Sequence, residues 1–180
     1  MKRIAWVLLA LGLVASGCIL TSGQIQVSFN LPDVKGSTTS GIVGQTINLN
    51  DESEYEKNKD KLKGLSDFAV LGKFVNQDTT NPVDIEVWMT TDTTSYTTET
   101  ALKASSTALK LWGPFTVAAN GTRIINWNDS AKLFSTAGKA ALLNEAKGDG
   151  MFTLYAVGKA GTYDFKVDNG VLVLVIDAGI

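Results

Sequence analysis

The chain has 180 residues, of which 44% are hydrophobic, with 16 basic and 18 acidic side chains and no histidine. A net charge of −2 without a clustered basic patch argues against nucleic-acid binding, which needs Lys and Arg to neutralise phosphates. The missing histidine excludes Ser-His-Asp and Cys-His catalysis and removes the commonest zinc ligand. The sequence therefore predicts no cofactor, no metal site and no catalytic residue.

The first residues have the layout of an export signal. Lys2 and Arg3 give a basic start, and the apolar run at 4–15 is too short for the ~20 residues of a membrane-spanning helix. The run leads into Leu13-Val14-Ala15-Ser16-Gly17-Cys18, which ends at the single cysteine of the chain. We predict a signal peptide at 1–17, a short tether at 18–23 that begins at Cys18, and one domain at 24–180.

The sequence before Cys18 resembles the lipobox of bacterial lipoproteins. The resemblance implies that Cys18 becomes the first residue of the mature protein and carries the lipid that anchors it. In a two-membrane bacterium Ile19 would imply the outer membrane, and in a one-membrane bacterium the outer face of the plasma membrane. The alternatives are an ordinary cut after Gly17, which would leave a free thiol, and a retained membrane helix.

Alternation of apolar and polar residues with period two predicts strands along the rest of the chain. The first lies at 25–31 and a weaker one at 45–49. Strands at 68–74 and 83–89 are separated by a polar turn, so we expect them to be antiparallel neighbours.

Two Asn-Gly pairs predict hairpins, because both residues tolerate a positive φ. Asn120-Gly121 would join strands at 109–118 and 122–127, and Asn169-Gly170 would join strands at 163–167 and 171–176. The last of these strands is apolar on both faces, so we expect it at the centre of a sheet.

Two helices are expected between the strands. The first, at 52–63, has Asn50 or Asp51 as its cap and Tyr55 as its attachment to the sheet. The second, at 130–147, has Asn128 or Asp129 as its cap, and Gly138 is expected to break it. The threonine-rich segment at 90–107 is predicted to be a loop with a helical turn near 99–104, anchored by Tyr96 and Leu102.

Together these elements predict a mainly β fold, an antiparallel β-sandwich of immunoglobulin-like layout with about 7–9 strands and two short surface helices. A small closed or half-open barrel is the alternative.

The candidate binding residues are Trp88, Trp112 and Trp127. Strand phase places Trp88 and Trp112 opposite the apolar face, where they could stack on sugar rings or contact a partner. The competing interpretation, which we favour, is that helices or a second sheet cover them as additional core.

Oxygen-rich clusters suggest two weaker interpretations. Asp84 and Glu86 share a strand face and could form a hydrolase carboxylate pair. Asparagine and acidic residues at 50–52 and 126–129 could bind calcium, but they lack the spacing of a calcium loop and are explained as helix caps.

The sequence therefore favours a lipid-anchored, non-enzymatic cell-envelope protein that acts as a binding or structural component of an assembly. Its expected partners are the membrane, through Cys18, and another envelope protein or a glycan. A carbohydrate-binding module is the second hypothesis, and a carboxylate-dependent hydrolase the third.

Overall fold

A computed structural model describes residues 22–30, 35–38, 42–92, 94–158 and 163–179. The predicted signal peptide at 1–17 and the predicted lipidation site at Cys18 lie outside the described residues. The described part is mainly β, with two antiparallel sheets and four α-helices.

Nine strands are assigned in this part of the chain. They are β1 (Ser22–Asn30), β2 (Lys35–Thr38), β3 (Ile42–Asn48), β4 (Leu62–Asn76), β5 (Val83–Thr90), β6 (Leu109–Val117), β7 (Thr122–Ile125), β8 (Met151–Gly158) and β9 (Tyr163–Gly179). The first sheet has the order β1-β9-β4-β7, and β2 pairs with a further stretch of β9. The second sheet has the order β3-β8-β5-β6 and curls as a half-barrel.

The four helices of the described residues lie between strands. They are α1 (Ser53–Asn58), α2 (Glu99–Ala104), α3 (Trp127–Leu133) and α4 (Thr136–Lys147). Two short helical turns, Leu49–Asp51 and Lys59–Lys61, flank α1. The prediction of two helices was therefore too low.

Both sheets contribute to the main core cluster of the described residues. At its centre Phe74 of the first sheet lies 4.9 Å from Phe115 and 5.8 Å from Trp112 of the second, measured between ring centroids. Phe165 of the first sheet adds a further ring 5.8 Å from Phe74. Such aromatic pairs contribute about 0.5–1.5 kcal/mol each beyond their buried area, so this group ties the two sheets together.

The predicted strand at 171–176 is central, since β9 pairs with β1 on one side and β4 on the other. Leu172, Leu174 and Ile176 are buried in the core, and Val173 on the opposite face is also buried. The apolar run therefore has the position that its two-sided character predicted.

The hairpin predicted at Asn169-Gly170 was wrong, because β9 runs without interruption from Tyr163 to Gly179. Asn169 does have a positive φ of 51°, but it uses that conformation in a register shift opposite Gly72 of β4. The Asn-Gly pair here makes a bulge within a strand rather than a turn between two.

Two predicted strand pairings were also wrong. β4 and β5 belong to different sheets, and so do β6 and β7, even though Asn120 has the expected positive φ of 51°. In both cases the turn carries the chain from one sheet to the other. In the second sheet β8, a strand that the sequence analysis did not predict, lies between β3 and β5.

The predicted helix boundaries need correction too. α1 is shorter than 52–63, and its N-cap is Glu52, which makes no side-chain cap hydrogen bond, rather than Asn50 or Asp51. Asn48 caps the short helical turn before it. Tyr55 is 1% exposed and belongs to the main core, but its hydroxyl donates to Ala146 O of α4 at 3.0 Å rather than to the sheet.

The second predicted helix is divided into α3 and α4. The division falls before Ser135, which caps α4 by accepting from Gly138 N at 2.9 Å. Gly138 lies inside α4, so the prediction that it breaks the helix was wrong. Asn126, not Asn128 or Asp129, caps α3.

Candidate functional site

The outer face of the second sheet, opposite the core, is covered in part by the segment between β5 and β6. This segment contains α2, which coincides with the helical turn predicted at 99–104. Leu102 is fully buried against Ile42, Tyr155 and Val157 in a small second cluster. Tyr96 contacts the Tyr155 ring edge-on at 5.8 Å, so both predicted anchors hold the segment on the sheet.

Asp92 fixes the start of this segment. It accepts hydrogen bonds from the Thr107 hydroxyl, from Tyr96 OH at 2.8 Å and from Thr94 N at 3.0 Å. These bonds, that from Thr107 most, lower the pKa of Asp92 below its usual value because they favour the ionised carboxylate. The segment at 90–107 that was predicted to be a loop is therefore folded, and it covers part of the outer face of the second sheet.

A groove of about 460 Å³ lies beside this cover, and we call it the α2 groove. Its lining residues come from β5, α2, β6 and β8: Asp84, Glu86, Glu99, Lys103, Pro114, Thr116 and Val157. Asp84 accepts from the Thr116 hydroxyl at 2.5 Å. Three carboxylates and one ammonium group therefore make the groove acidic.

Glu86 is the central charged group of the α2 groove. One of its carboxylate oxygens accepts from Trp88 Nε1 and from Lys103 Nζ, each at 3.0 Å, and the other lies 3.8 Å from Lys110 Nζ. Burial opposes ionisation of Glu86, but the hydrogen bonds and the two ammonium charges outweigh it and lower its pKa. A general acid near neutral pH needs a raised pKa, so Glu86 is poorly suited to that role.

Lys103 ties α2 to the sheet. It pairs with Glu99 one helical turn away at 2.6 Å and with Glu86 on β5. Its ammonium group also lies 5.2 Å from the centre of the Trp88 ring. Burial alone would lower the pKa of Lys103. The hydrogen bonds to Glu99 and Glu86 together have the larger effect and raise the pKa above its usual value, so the group stays charged.

The three tryptophans lie at three separate places. Trp88 is half-buried on the outer face of β5, as strand phase predicted, but Lys103 lies over its ring and Glu86 binds its indole N–H. Trp127 begins α3 and donates to Asp67 at 2.9 Å. The structure brings no two of these indoles together as a stacking platform.

Trp112 is buried, as the favoured interpretation held, but it lies in the main core and not on the outer face where strand phase placed it. The side chain is fully buried in the main core and donates to Ser130 O at 3.1 Å and Ser130 Oγ at 3.2 Å. Two register shifts between β5 and β6 put an extra residue on each side of Trp112, so Leu111 and Trp112 are both buried. A bulge reverses which face a side chain occupies, and strand phase alone does not show it.

A second carboxylate pair, which the sequence patterns did not indicate, lies at the end of α4. Glu145 hydrogen bonds to Asp149, four residues later in the chain. Burial, the hydrogen bond and the negative charge of Asp149 raise the pKa of Glu145 to about 7. The spacing of four residues across the helix stop Gly148 was the sequence signal that could have found the pair.

An apolar cavity of about 80 Å³ lies between the sheets near β3. Val70 and Phe74 line it from the first sheet, and Val43, Ile85 and Leu154 from the second. A cavity that binds benzene has about 150 Å³, so this one is too small for a ring-sized ligand.

The structure describes no metal centre or membrane helix in the part of the chain that it covers. Among those residues no three His, Cys, Asp or Glu side chains come together as metal ligands. Within the same residues, no helix combines the length and the apolar character needed to cross a membrane.

Comparison with known proteins assigns no family. No protein-family model and no curated protein matches the chain. Among solved structures, a chain of Desmodium yellow mottle tymovirus is 13% identical over 88% of this chain and 87% of that one, with a TM-score of 0.31. Dimeric latent PorU from Porphyromonas gingivalis is 8% identical over 88% of this chain and 13% of that one, with a TM-score of 0.34. At these TM-scores neither likeness bears on fold or function.

Proposed function

We propose that the protein is a lipid-anchored, non-enzymatic component of the bacterial cell envelope that binds a partner protein in the α2 groove. In this proposal Cys18 carries the lipid, and the anchor lies in the outer membrane if the bacterium has two membranes. The domain is a β-sandwich of immunoglobulin-like layout whose sheets enclose the shared core.

The observation that carries the binding proposal is the fixed charge pattern of the α2 groove. Thr116 binds one oxygen of Asp84 and Lys103 binds one oxygen of Glu99, while the other oxygen of each carboxylate has no hydrogen bond from a described residue. Lys103 and Lys110 hold Glu86 ionised between them. A groove with two such oxygens suits a partner segment that presents amino or guanidinium groups.

The non-enzymatic part of the proposal is supported by the state of Glu86. A glycosidase-type carboxylate pair needs one acid with a raised pKa, whereas hydrogen bonds and ammonium groups lower that of Glu86. Asp84 and Glu86 are therefore proposed to bind rather than to transfer protons.

The carbohydrate-binding hypothesis loses support from the positions of the tryptophans. Trp112 is buried, and the Trp88 ring lies under the Lys103 ammonium group. A glycan platform needs an aromatic face that is free to stack on a sugar ring. We therefore propose a protein partner in preference to a glycan.

The anchor is tested by mass spectrometry of the protein purified from membranes. We expect Cys18 to be acylated and to be the first residue, and the Cys18→Ala variant to lack the lipid. Recovery of wild-type protein without acylation from the soluble fraction would contradict the anchor but leave the groove proposal untouched.

The groove is tested by binding of the full-length protein in detergent to basic peptides, acidic peptides and soluble peptidoglycan fragments. We expect preference for basic peptides and a loss of about tenfold or more in affinity for Asp84→Asn, since a charge-assisted hydrogen bond contributes about 1.5–3 kcal/mol. Glu54→Asn, a change of an exposed acid on α1, is the control for net charge and should bind normally. Equal binding by wild type and Asp84→Asn would rule out the groove.

A further inference from the structure

β3 forms one edge of the second sheet, and within the described part of the chain no strand lies on its outer side. It pairs with β8 in unbroken register, from Ile42 opposite Val157 to Asn48 opposite Met151. Gly44, Gln45 and Thr46 at its middle are exposed. β3 is therefore a strand without a bulge, and no strand among the described residues pairs with its outer edge.

The hydrogen-bond phase of β3 shows which backbone groups are available. Leu49 N donates to Gly150 O at 2.8 Å, and in an antiparallel ladder every second residue bonds to the same neighbour. Gln45 therefore bonds to β8, while the N–H and C=O groups of Gly44 and Thr46 point to the open side. Gln45 Nε2 donates to Thr46 O at 3.0 Å, a contact that a pairing strand would replace.

Other sheet edges in the described residues carry the protection that edge strands usually have. β7 has only four residues and includes Arg123. β6 is bulged, and Ser135 N donates to Leu111 O at 3.0 Å on its outer side. α1 lies beside β1 at the edge of the first sheet. β3 has no charged residue, no proline and no bulge, although such features normally prevent edge-to-edge pairing.

We propose that β3 pairs antiparallel with β3 of a second copy of this chain, about a two-fold axis at Gln45. Gly44 then lies opposite Thr46 of the second copy, and Thr46 lies opposite Gly44 of the second copy. The outward N–H and C=O groups of both residues are thereby hydrogen-bonded in each copy. The two sheets join into one continuous sheet of eight strands.

The uncharged sequence favours a second copy over a different protein. Self-pairing brings identical residues together, and it fails wherever like charges meet; β3 has none. A different protein would find no charged group on this edge by which to be selected. The pairing needs neither the lipid nor the α2 groove, so it stands apart from the proposed function.

Cysteine cross-linking in membranes of cells that express the full-length chain tests the pairing. The two Gln45 residues form a pair without mutual hydrogen bonds, whose Cα atoms are ~4.5 Å apart, a distance that a disulfide spans. Gln45→Cys should therefore give a covalent dimer under mild oxidation. Thr46→Cys is the matched control, because the two residues 46 are ~8 Å apart in this register, beyond disulfide reach. Wild type measures the background from Cys18. A dimer from both variants, or from neither, overturns the proposal.

Charge exchange at the same position gives a second test. Gln45→Lys and Gln45→Glu should each be monomeric in detergent by light scattering, because like charges meet at the axis. An equal mixture of the two should recover the wild-type mass. A wild type that is monomeric across the tested concentrations, or a Gln45→Lys variant that dimerises as wild type does, rules out the pairing.

Discussion

Lys103 on α2 joins Glu86 on β5 at 3.0 Å, across 17 residues of the chain. The same ammonium group binds Glu99 at 2.6 Å and lies over the Trp88 ring. Lys103 therefore links α2, which covers the second sheet, to two groups on the outer face of β5. These are the Glu86 carboxylate and the Trp88 ring.

Lys103→Met keeps the aliphatic stem and removes the charge, so it tests this role. We expect a loss of about 1 kcal/mol in the free energy of unfolding, since the pair is partly exposed and solvent screens it. The pKa of Glu86 should rise, because burial opposes its ionisation and one compensating cation is gone. Carboxyl NMR titration and urea unfolding measure the two effects.

The control for Lys103→Met is Lys57→Met on α1. Lys57 pairs with Glu54 at 2.8 Å, but both side chains are more than half exposed. Exposed pairs contribute little, so the change in unfolding free energy should be within about 0.5 kcal/mol. Equal losses for the two variants would contradict a special role for Lys103.

The buried contact between Trp112 and Ser130 gives a second prediction. Ser130 Oγ accepts from Val70 N at 2.8 Å and from Trp112 Nε1, so one hydroxyl serves the edge of β4 and the core indole. Ser130→Ala should cost about 1–3 kcal/mol, because it leaves buried donors without a partner. Trp112→Phe should cost about 2–4 kcal/mol through lost packing and the unpaired Ser130.

Urea unfolding of the two single variants and the double variant measures this coupling. The double variant should lose less than the sum of the single losses, since each change removes the same hydrogen bond. Strict additivity would show that the indole and the hydroxyl do not interact. Trp88→Phe on the outer face should cost less than Trp112→Phe, because Trp88 is only half-buried.

Sequence patterns predicted most of the strands, although they missed β2 and β8, and the strand pairings that they predicted were wrong. The two-sided apolar character of residues 171–176 correctly indicated a central strand, because burial on both faces selects such residues. Asn169 and Asn120 correctly indicated positive φ values, yet one lies in a bulge and the other joins two sheets. The φ of a residue depends mainly on its own type and on its neighbours in the chain. The pairing of a strand depends on residues that are distant in the sequence.

The candidate site was predictable to the same degree. Asp84, Glu86 and Trp88 share the outer face of β5, as their spacing predicted, and α2 lies where the helical turn was expected. The contact of Lys103 with Glu86 depends on how the intervening segment folds back over the sheet. The periodicity of the sequence does not predict how this segment folds back. It also does not predict the register shifts between β5 and β6 that place Trp112 in the core.

Gly138 gives a prediction in which two effects have opposite signs. Alanine has a helix propensity about 1 kcal/mol better than glycine, so Gly138→Ala would stabilise an isolated helix. In the protein a Cβ at Gly138 would lie 2.7 Å from Leu111 Cα and 2.9 Å from Lys110 O, both backbone atoms of β6. Moving a strand costs about 1–3 kcal/mol or more, so we expect a net loss.

Thermal unfolding of Gly138→Ala measures the outcome, with Thr136→Ala in the exposed first turn of α4 as the control. Thr136→Ala should be neutral or slightly stabilising, because only propensity acts there. A stabilised Gly138→Ala variant would show that α4 does not pack as closely on β6 as the structure has it.

The Glu145 and Asp149 pair predicts how stability depends on pH. The pKa of Glu145 is about 7 in the folded protein against an ordinary value of 4.5. Between these values the folded state binds more protons than the unfolded state, so the free energy of unfolding falls as pH rises from about 4.5 to about 7. The pKa of Asp149 is lowered, chiefly by the Met151 N–H, and its opposite contribution is lost only at more acidic pH.

Glu145→Gln should remove this decline, because a neutral amide can donate to Asp149 as the protonated acid does. Relative to wild type we expect little change at pH 5 and a gain of about 1–2 kcal/mol at pH 8, after allowance for solvent screening of a partly exposed pair. Urea unfolding at several pH values measures both. The Tyr55 hydroxyl beside the pair does not interfere, since burial raises its pKa above 10.0. Parallel pH profiles for wild type and Glu145→Gln would mean that the Glu145 carboxyl is already ionised at pH 5.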